Sequence, residues 1–200
     1  MKTFPISVRP RHLSGSSVAK KIRRAGLIPA NMYGHGVDAN LQVALDPRPL
    51  AKALSSDYGR NQLMEVNLEG KTFLAICREV EVHPVTRKLR HVDFFCVSET
   101  TPLQMTLPIR FHGRSAGQKA GGTLEIAARH VKVNTTPANL PPSIDVQLEP
   151  FQNGQQLSVD DLPYPEGVTP AYKRAFKVFE LIPPKIVKVE AVDPKAKKKK

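Results

Sequence analysis

Four cations crowd into five positions of the stretch "SGSSVAKKIRRAGLIPANMYGHG", residues 14–36: Lys20, Lys21, Arg23 and Arg24. No acid precedes Asp38, so nothing nearby in the chain neutralises them. Such side chains make and break no bonds alone. Their chemistry is anion neutralisation, driven by counterion release where the anion is a nucleic-acid backbone. Arg9 and Arg11 lie just upstream. Tyr33 sits in "MYGHG", where Gly34 and Gly36 are expected to let the backbone turn and approach a ligand. A tyrosine there can stack on a base or ribose, although core packing is its commoner role. In "LRHVDFFCV", His91 and Asp93 alternate and so share one strand face. They could serve as an acid–base pair, as hydrogen-bonding groups for base edges, or as an ordinary surface pair.

Other chemistry finds no purchase. "GQKAGGT" at 117–123 has two glycines at phosphate-loop spacing but no Lys before the Thr, and reads as a flexible loop or turn. His83, His91, Asp93, Cys77 and Cys96 lack metal-ligand spacing, so no metal and no cofactor is expected. Neither cysteine has a CxxC partner. Both lie in apolar strand patterns, as buried free thiols of a reducing cytoplasm would. There is no GxSxG, HExxH or paired-carboxylate constellation of an enzyme.

The net charge of +12 is unevenly placed. Residues 1–97 hold 15 Lys and Arg against eight acids, whereas residues 98–194 hold ten of each. The final "KAKKKK" adds five more positive charges. A basic first module, a neutral second module and a disordered lysine tail are therefore expected, with domains at 1–97, 98–190 and 191–200. No apolar run approaches 18 residues, so no membrane span is expected. The start, "MKTFPISVRP", lacks the apolar core of a secretory signal. An Arg-rich transit peptide is the alternative there, but Phe4, Ile6 and Val8 alternate as a strand would.

The elements that must position the charges follow from periodicity. Residues 3–9 and "LQVALD" alternate as half-buried strands, the first presenting Arg9 outward. Ser14, Ser16 or Ser17 is expected to cap a helix running to about Ala25, stopped by Gly26. Val18, Ile22 and Ala25 form its apolar stripe, opposite Lys20, Lys21, Arg23 and Arg24. Asp46 caps a second helix beginning at Pro47, and "LMEVNLEGKTFLAICREVEV" reads as a hairpin turning at Glu69–Gly70. The fold class is mainly β: a small N-terminal β-barrel with two or three short helices, then an all-β, sandwich-like second domain. Its strands are expected at "LQMTLPIRFHG", "HVKVNT", "SIDVQL", "QLSV", "FKVFEL" and "KIVKVEAV".

"VRPRHLSGSSVAKKIRRAGLIPANMYG", followed by "EVHPVTRKLRHVDFF", resembles the bacterial 5S-rRNA-binding protein family of the large ribosomal subunit. "LPIRFHGRSAGQKAGGTLE" resembles the second domain of that family's long form, the general stress protein Ctc family. The resemblance covers nearly the whole chain. It implies a barrel gripping a loop E-type region of 5S rRNA from its minor-groove side. By matching positions it implies RNA contacts at Arg9, Lys20, Lys21, Arg23, Tyr33, Arg78, His91 and Asp93, with Arg24 beside them. Ser16 stands where the family usually has lysine, Arg78 where it often has a polar amide, and the segment before the helix is longer than usual.

The resulting expectation is a non-catalytic, monomeric constituent of the cytoplasmic ribosome, bound to 5S rRNA in the central protuberance. Its second domain is expected to meet other large-subunit proteins or 23S rRNA. The alternative is an RNA-processing or stress-response enzyme using His91 and Asp93, which would lose turnover but keep binding on His91→Ala.

Overall fold

A computed structural model describes residues 3–37 and 39–184. The lysine tail and the strand expected at "KIVKVEAV" lie outside the described residues. The first half contains β1 (Phe4–Pro10), α1 (Ser16–Arg24), β2 (Ile28–Gly34), β3 (Leu41–Leu45), α2 (Pro47–Leu54), β4 (Met64–Leu68), β5 (Lys71–Val82) and β6 (Leu89–Cys96). The six strands close into a barrel in the order β1-β3-β2-β6-β5-β4, sealed by the parallel pairing of β1 with β4. Closure leaves no strand edge unpaired around the ring.

Period-two alternation fills the barrel. Ile6, Met32, Val43, Met64, Val92 and Phe94 all point inward and are fully or almost fully buried. The β4–β5 hairpin turns at Glu69 (φ 50°) and Gly70 (φ 87°), two left-handed residues whose twist suits a two-residue connection. α2 is capped as its sequence dictates: the Asp46 carboxylate accepts from the Arg48 amide at 2.8 Å, and Pro47 opens the first turn.

One irregularity matters for function. Along β5, Cys77 pairs with Phe94 and Glu79 with Asp93, so Arg78 is an extra residue with no partner on β6. This β-bulge lets Arg78 and Glu79 both face outward on consecutive positions, which a regular strand forbids.

The second half carries β7 (Leu103–His112), α3 (Ala116–Lys119), β8 (Thr123–Ile126), β9 (His130–Thr135), β10 (Ile144–Gln147), β11 (Gln156–Ser158), β12 (Thr169–Pro170) and β13 (Lys177–Ile182). They form a four-stranded sheet, β10-β7-β9-β12, and a three-stranded sheet, β11-β13-β8. Leu107, Val131, Val133, Phe179 and Leu181 belong to one buried cluster drawn from both sheets. The all-β expectation holds for this half.

"GQKAGGT", expected as a loop or turn, starts within the one-turn α3 and continues through a turn at Ala120–Gly121. Ser115 and Gln118 form a reciprocal capping box around the one-turn α3. A Cβ on Gly117 or Gly122 would meet Asn153 Oδ1 at 2.5 and 2.0 Å, so these glycines permit close packing.

The two halves share apolar surface. Leu63, Ile76 and Val97 belong to the cluster centred on the second half. Ala75, Ile76 and Cys77 are consecutive and all buried, because Ala75 and Cys77 face the barrel interior while Ile76 is covered from outside.

Candidate nucleic-acid interface

α1 departs from its expected caps. Its N-cap is Gly15 (φ 114°), with no side-chain hydrogen bond to the first turn, so none of the nearby serines caps it. Its end is the expected glycine stop: the Gly26 amide donates to Arg23 and the Leu27 amide to Ile22, each at 3.1 Å.

The half-buried side of α1 comprises Val18, Ala19, Ile22 and Arg23, whereas Ala25 is exposed. The stripe is therefore rotated from its expected position, and Arg23 lies at its edge. Its Nε donates to the Arg90 carbonyl at 3.0 Å, which ties the helix to the start of β6. Lys20, Lys21 and Arg24 remain exposed. Among the described residues, no ion pair reaches any of these four cations.

α1 packs on β2. Pro29 and Ala44 face outward by alternation yet are buried. Beside them opens a recess of about 430 Å³ lined by Arg11, Gly15, Ser16, Arg23, Asn31, Gln42 and His91. Two buried polar atoms in it, Arg11 Nε and Gln42 Oε1, have no hydrogen-bond partner. Burial, and then the neighbouring Arg23, hold the Arg11 guanidinium below its ordinary pKa. Gly15 and Ser16, at the start of α1 where no side chain caps the first turn, line the same recess. Two guanidiniums and a positive helix end thus converge with no acid among the described residues of the lining, an arrangement that suits a phosphate.

A polar row runs across the barrel next to this recess. Asn31 on β2 pairs with Gln42 on β3 and Asp93 on β6, and Asp93 pairs with Glu79 on β5. His91 Nδ1 lies 3.2 Å from Asp93 Oδ1, but the angle is not that of a hydrogen bond and this buried oxygen has no such partner. Tyr33 rests against Phe95, with centroids 5.6 Å apart and planes tilted by 56°. Burial first, and then the charge of Asp93, push the Tyr33 phenol up, while Arg78 pulls it down. The charges of Asp93 and Arg78 therefore both reach Tyr33.

Most of the expected residues are brought together. Arg23, Tyr33, His91 and Asp93 surround one patch, with Lys20, Lys21 and Arg24 on the overlying helix. Arg9 is exposed on β1, opposite Ala44. Arg78 sits at the far rim, its Nη1 donating to the Gln104 carbonyl of β7 at 3.2 Å. The close approach at Gly34 is to protein, not to a ligand. A Cβ there would lie 2.4 Å from the Cys96 carbonyl, in a residue held at φ 114°.

Sequence reading missed Asn31 and Gln42 as site residues and left Arg11 as a neighbour. Asn31 carried a signal, since it alternates with buried Ala30 and Met32 and must face outward. Gln42 carried the same outward-facing signal, between Leu41 and Val43, but its place beside Asn31 needed the pairing of β3 with β2.

Comparison with known proteins agrees with this architecture. Residues 6–94 match the model of the Ribosomal L25p family, and residues 102–185 match that of the ribosomal protein TL5 C-terminal domain. The chain is 36% identical over 181 residues to the large ribosomal subunit protein bL25 of Anaeromyxobacter dehalogenans strain 2CP-C, covering 90% of this chain and 75% of that protein. It is 32% identical over 173 residues to bL25 of Nostoc punctiforme, covering 85% and 87% respectively. With bL25 of Moorella thermoacetica the identity is 35% over 171 residues, covering 84% and 80%. The family is structural rather than enzymatic, which sets aside an enzyme built on His91 and Asp93. Matched along both its halves, the chain belongs to the bL25 family of large ribosomal subunit proteins, in its long two-domain form.

Proposed function

We propose that this ribosomal protein binds 5S rRNA in the central protuberance of the large subunit, through the barrel face beneath and beside α1. The observation that carries the reading is the convergence of Arg11, Arg23 and the uncapped start of α1 on one recess without a carboxylate among them. Phosphates supply the missing charge, and Lys20, Lys21, Arg24 and Arg9 extend the contact along the backbone. An A-form helix hides its major-groove edges, so recognition falls to an irregular region whose shallow groove admits polar side chains. In this reading Asn31, Gln42, His91, Asp93 and Tyr33 contact that groove.

The same proposal divides the chain near residue 97 into an RNA-gripping module and a second module that meets neighbouring large-subunit proteins or 23S rRNA. The protein acts as a monomer within the particle. The direct test titrates full-length protein into 5S rRNA and into a plain duplex of equal length across a salt series. A steep salt dependence with clear preference for 5S rRNA is expected. Equal affinity for both RNAs would overturn the reading.

A further inference from the structure

A second basic concavity lies where the two halves meet. This cleft of about 770 Å³ is walled on one side by the turn Gly59–Asn61 and the β5 segment Ile76–Arg78. The other wall is the outward face of β7 and β9, with Gln104, Thr106, His130 and Lys132. Register explains why these residues share a face: Thr106 pairs with Lys132 and Pro108 with His130, while Val131 and Val133 turn into the core.

The charge balance in the cleft is one-sided. Arg60, Arg78 and Lys132 line it, and Asp57 is its single acid among the described residues. Asp57 already has a cation, since Arg110 lies 3.8 Å away. No carboxylate pairs with Arg60, Arg78 or Lys132 among the described residues. Half-buried Tyr58 offers an aromatic surface in the same wall. Cations from two walls around an aromatic platform make a groove suited to a nucleic-acid strand. The walls are fixed to each other, because Asn61 Nδ2 donates to the Thr106 carbonyl at 2.9 Å and Arg78 bridges to Gln104.

We infer that the cleft holds a further stretch of the same RNA, with Arg60 and Lys132 neutralising phosphates from opposite walls. This rests on the proposed 5S rRNA reading and deepens it. Continuity selects 5S rRNA rather than another strand. Arg78 lines the cleft and is the bulged residue directly before Glu79, which pairs with Asp93 on the barrel face, so it joins the two surfaces. The second half then contributes directly to RNA binding although its overall charge is neutral.

The test uses full-length protein and 5S rRNA, with Arg60→Ala, Lys132→Ala, their double variant, Arg60→Lys, and Lys173→Ala as an exposed cation outside the cleft. Each alanine in the cleft should lower the slope of log affinity against log salt by about one unit, and the double variant by about two. Arg60→Lys should restore the slope, and Lys173→Ala should leave it unchanged. Hydroxyl-radical footprinting of the double variant should lose one block of protected nucleotides while the barrel-face block persists. If wild-type protein shows no preference for 5S rRNA, the proposed function itself fails. If wild type binds with preference and the double variant matches it in slope and footprint, only the cleft inference is overturned. It is likewise overturned if the double variant loses a 23S rRNA fragment but keeps its full 5S rRNA footprint.

Discussion

Arg11 and Arg23 line one recess with like charge, and no carboxylate lines it among the described residues. Arg23 is held by the Arg90 carbonyl, whereas Arg11 Nε is buried without a partner. A folded protein gains nothing by itself from such a pair. On the proposed reading, the RNA backbone supplies the anion that this arrangement lacks.

Arg11→Ala should therefore separate stability from binding. The substitution removes an unpartnered, partly desolvated cation and leaves the Arg11 amide free to donate to the Gln42 carbonyl, now at 2.9 Å. The free protein should melt at an unchanged or higher temperature, while affinity for 5S rRNA falls and its salt slope drops by about one unit. A lower melting temperature with unchanged RNA affinity would make Arg11 a structural residue instead.

Arg23 should behave differently, because its side chain both carries charge and fastens α1. Arg23→Ala is expected to weaken RNA binding and lower the melting temperature. Arg23→Lys keeps the charge but loses the Nε hydrogen bond, so it should retain most of the salt slope with reduced affinity. Calorimetry and a salt titration on the two variants distinguish these roles. Identical behaviour of both would remove the fastening role.

Lys20, Lys21 and Arg24 are exposed and unpaired, so replacing all three with alanine should shift stability by no more than about 0.5 kcal/mol per site. The salt slope for 5S rRNA should nevertheless fall by up to about three units. An unchanged slope would move the docking face away from α1.

The buried thiols set an alkaline limit on stability. Burial pushes Cys77 up to about 12 and Cys96 to about 11, from an ordinary value of 9.0. Each thiol stays protonated in the folded chain at pH values where the unfolded chain ionises. Stability is thus unaffected by them below about pH 9 and declines from there through 11 to 12, by at most about 1.4 kcal/mol per pH unit for each thiol. Urea midpoints between pH 7.5 and 10.5 should show this fall. The double variant Cys77→Ala, Cys96→Ala should flatten it, from a lower starting stability.

The contact between the halves predicts coupled unfolding. Ile76 lies on the barrel strand β5 but packs in the cluster of the second half. Ile76→Ala should cost about 2–5 kcal/mol and lower the denaturation midpoint reported by probes in either half. If only one half responds, the shared core does not couple them.

The sequence by itself determined the local elements. Alternation in β1, β6 and β7, the Asp46–Pro47 helix start, the Glu69–Gly70 turn and the Gly26 stop are short-range consequences of side-chain period and backbone preference, legible without a partner strand. It also determined that the first half is cationic and that His91 and Asp93 share a face. Only tertiary structure decided how those pieces meet. The rotation of α1 that tucks in Arg23 and frees Ala25 depends on the surface of β2. The bulge that turns Glu79 outward beside Arg78 depends on pairing with β6, and the row from Gln42 to Glu79 on the order of strands from β3 to β5. Register and docking arise between segments distant in the chain, where no local propensity acts.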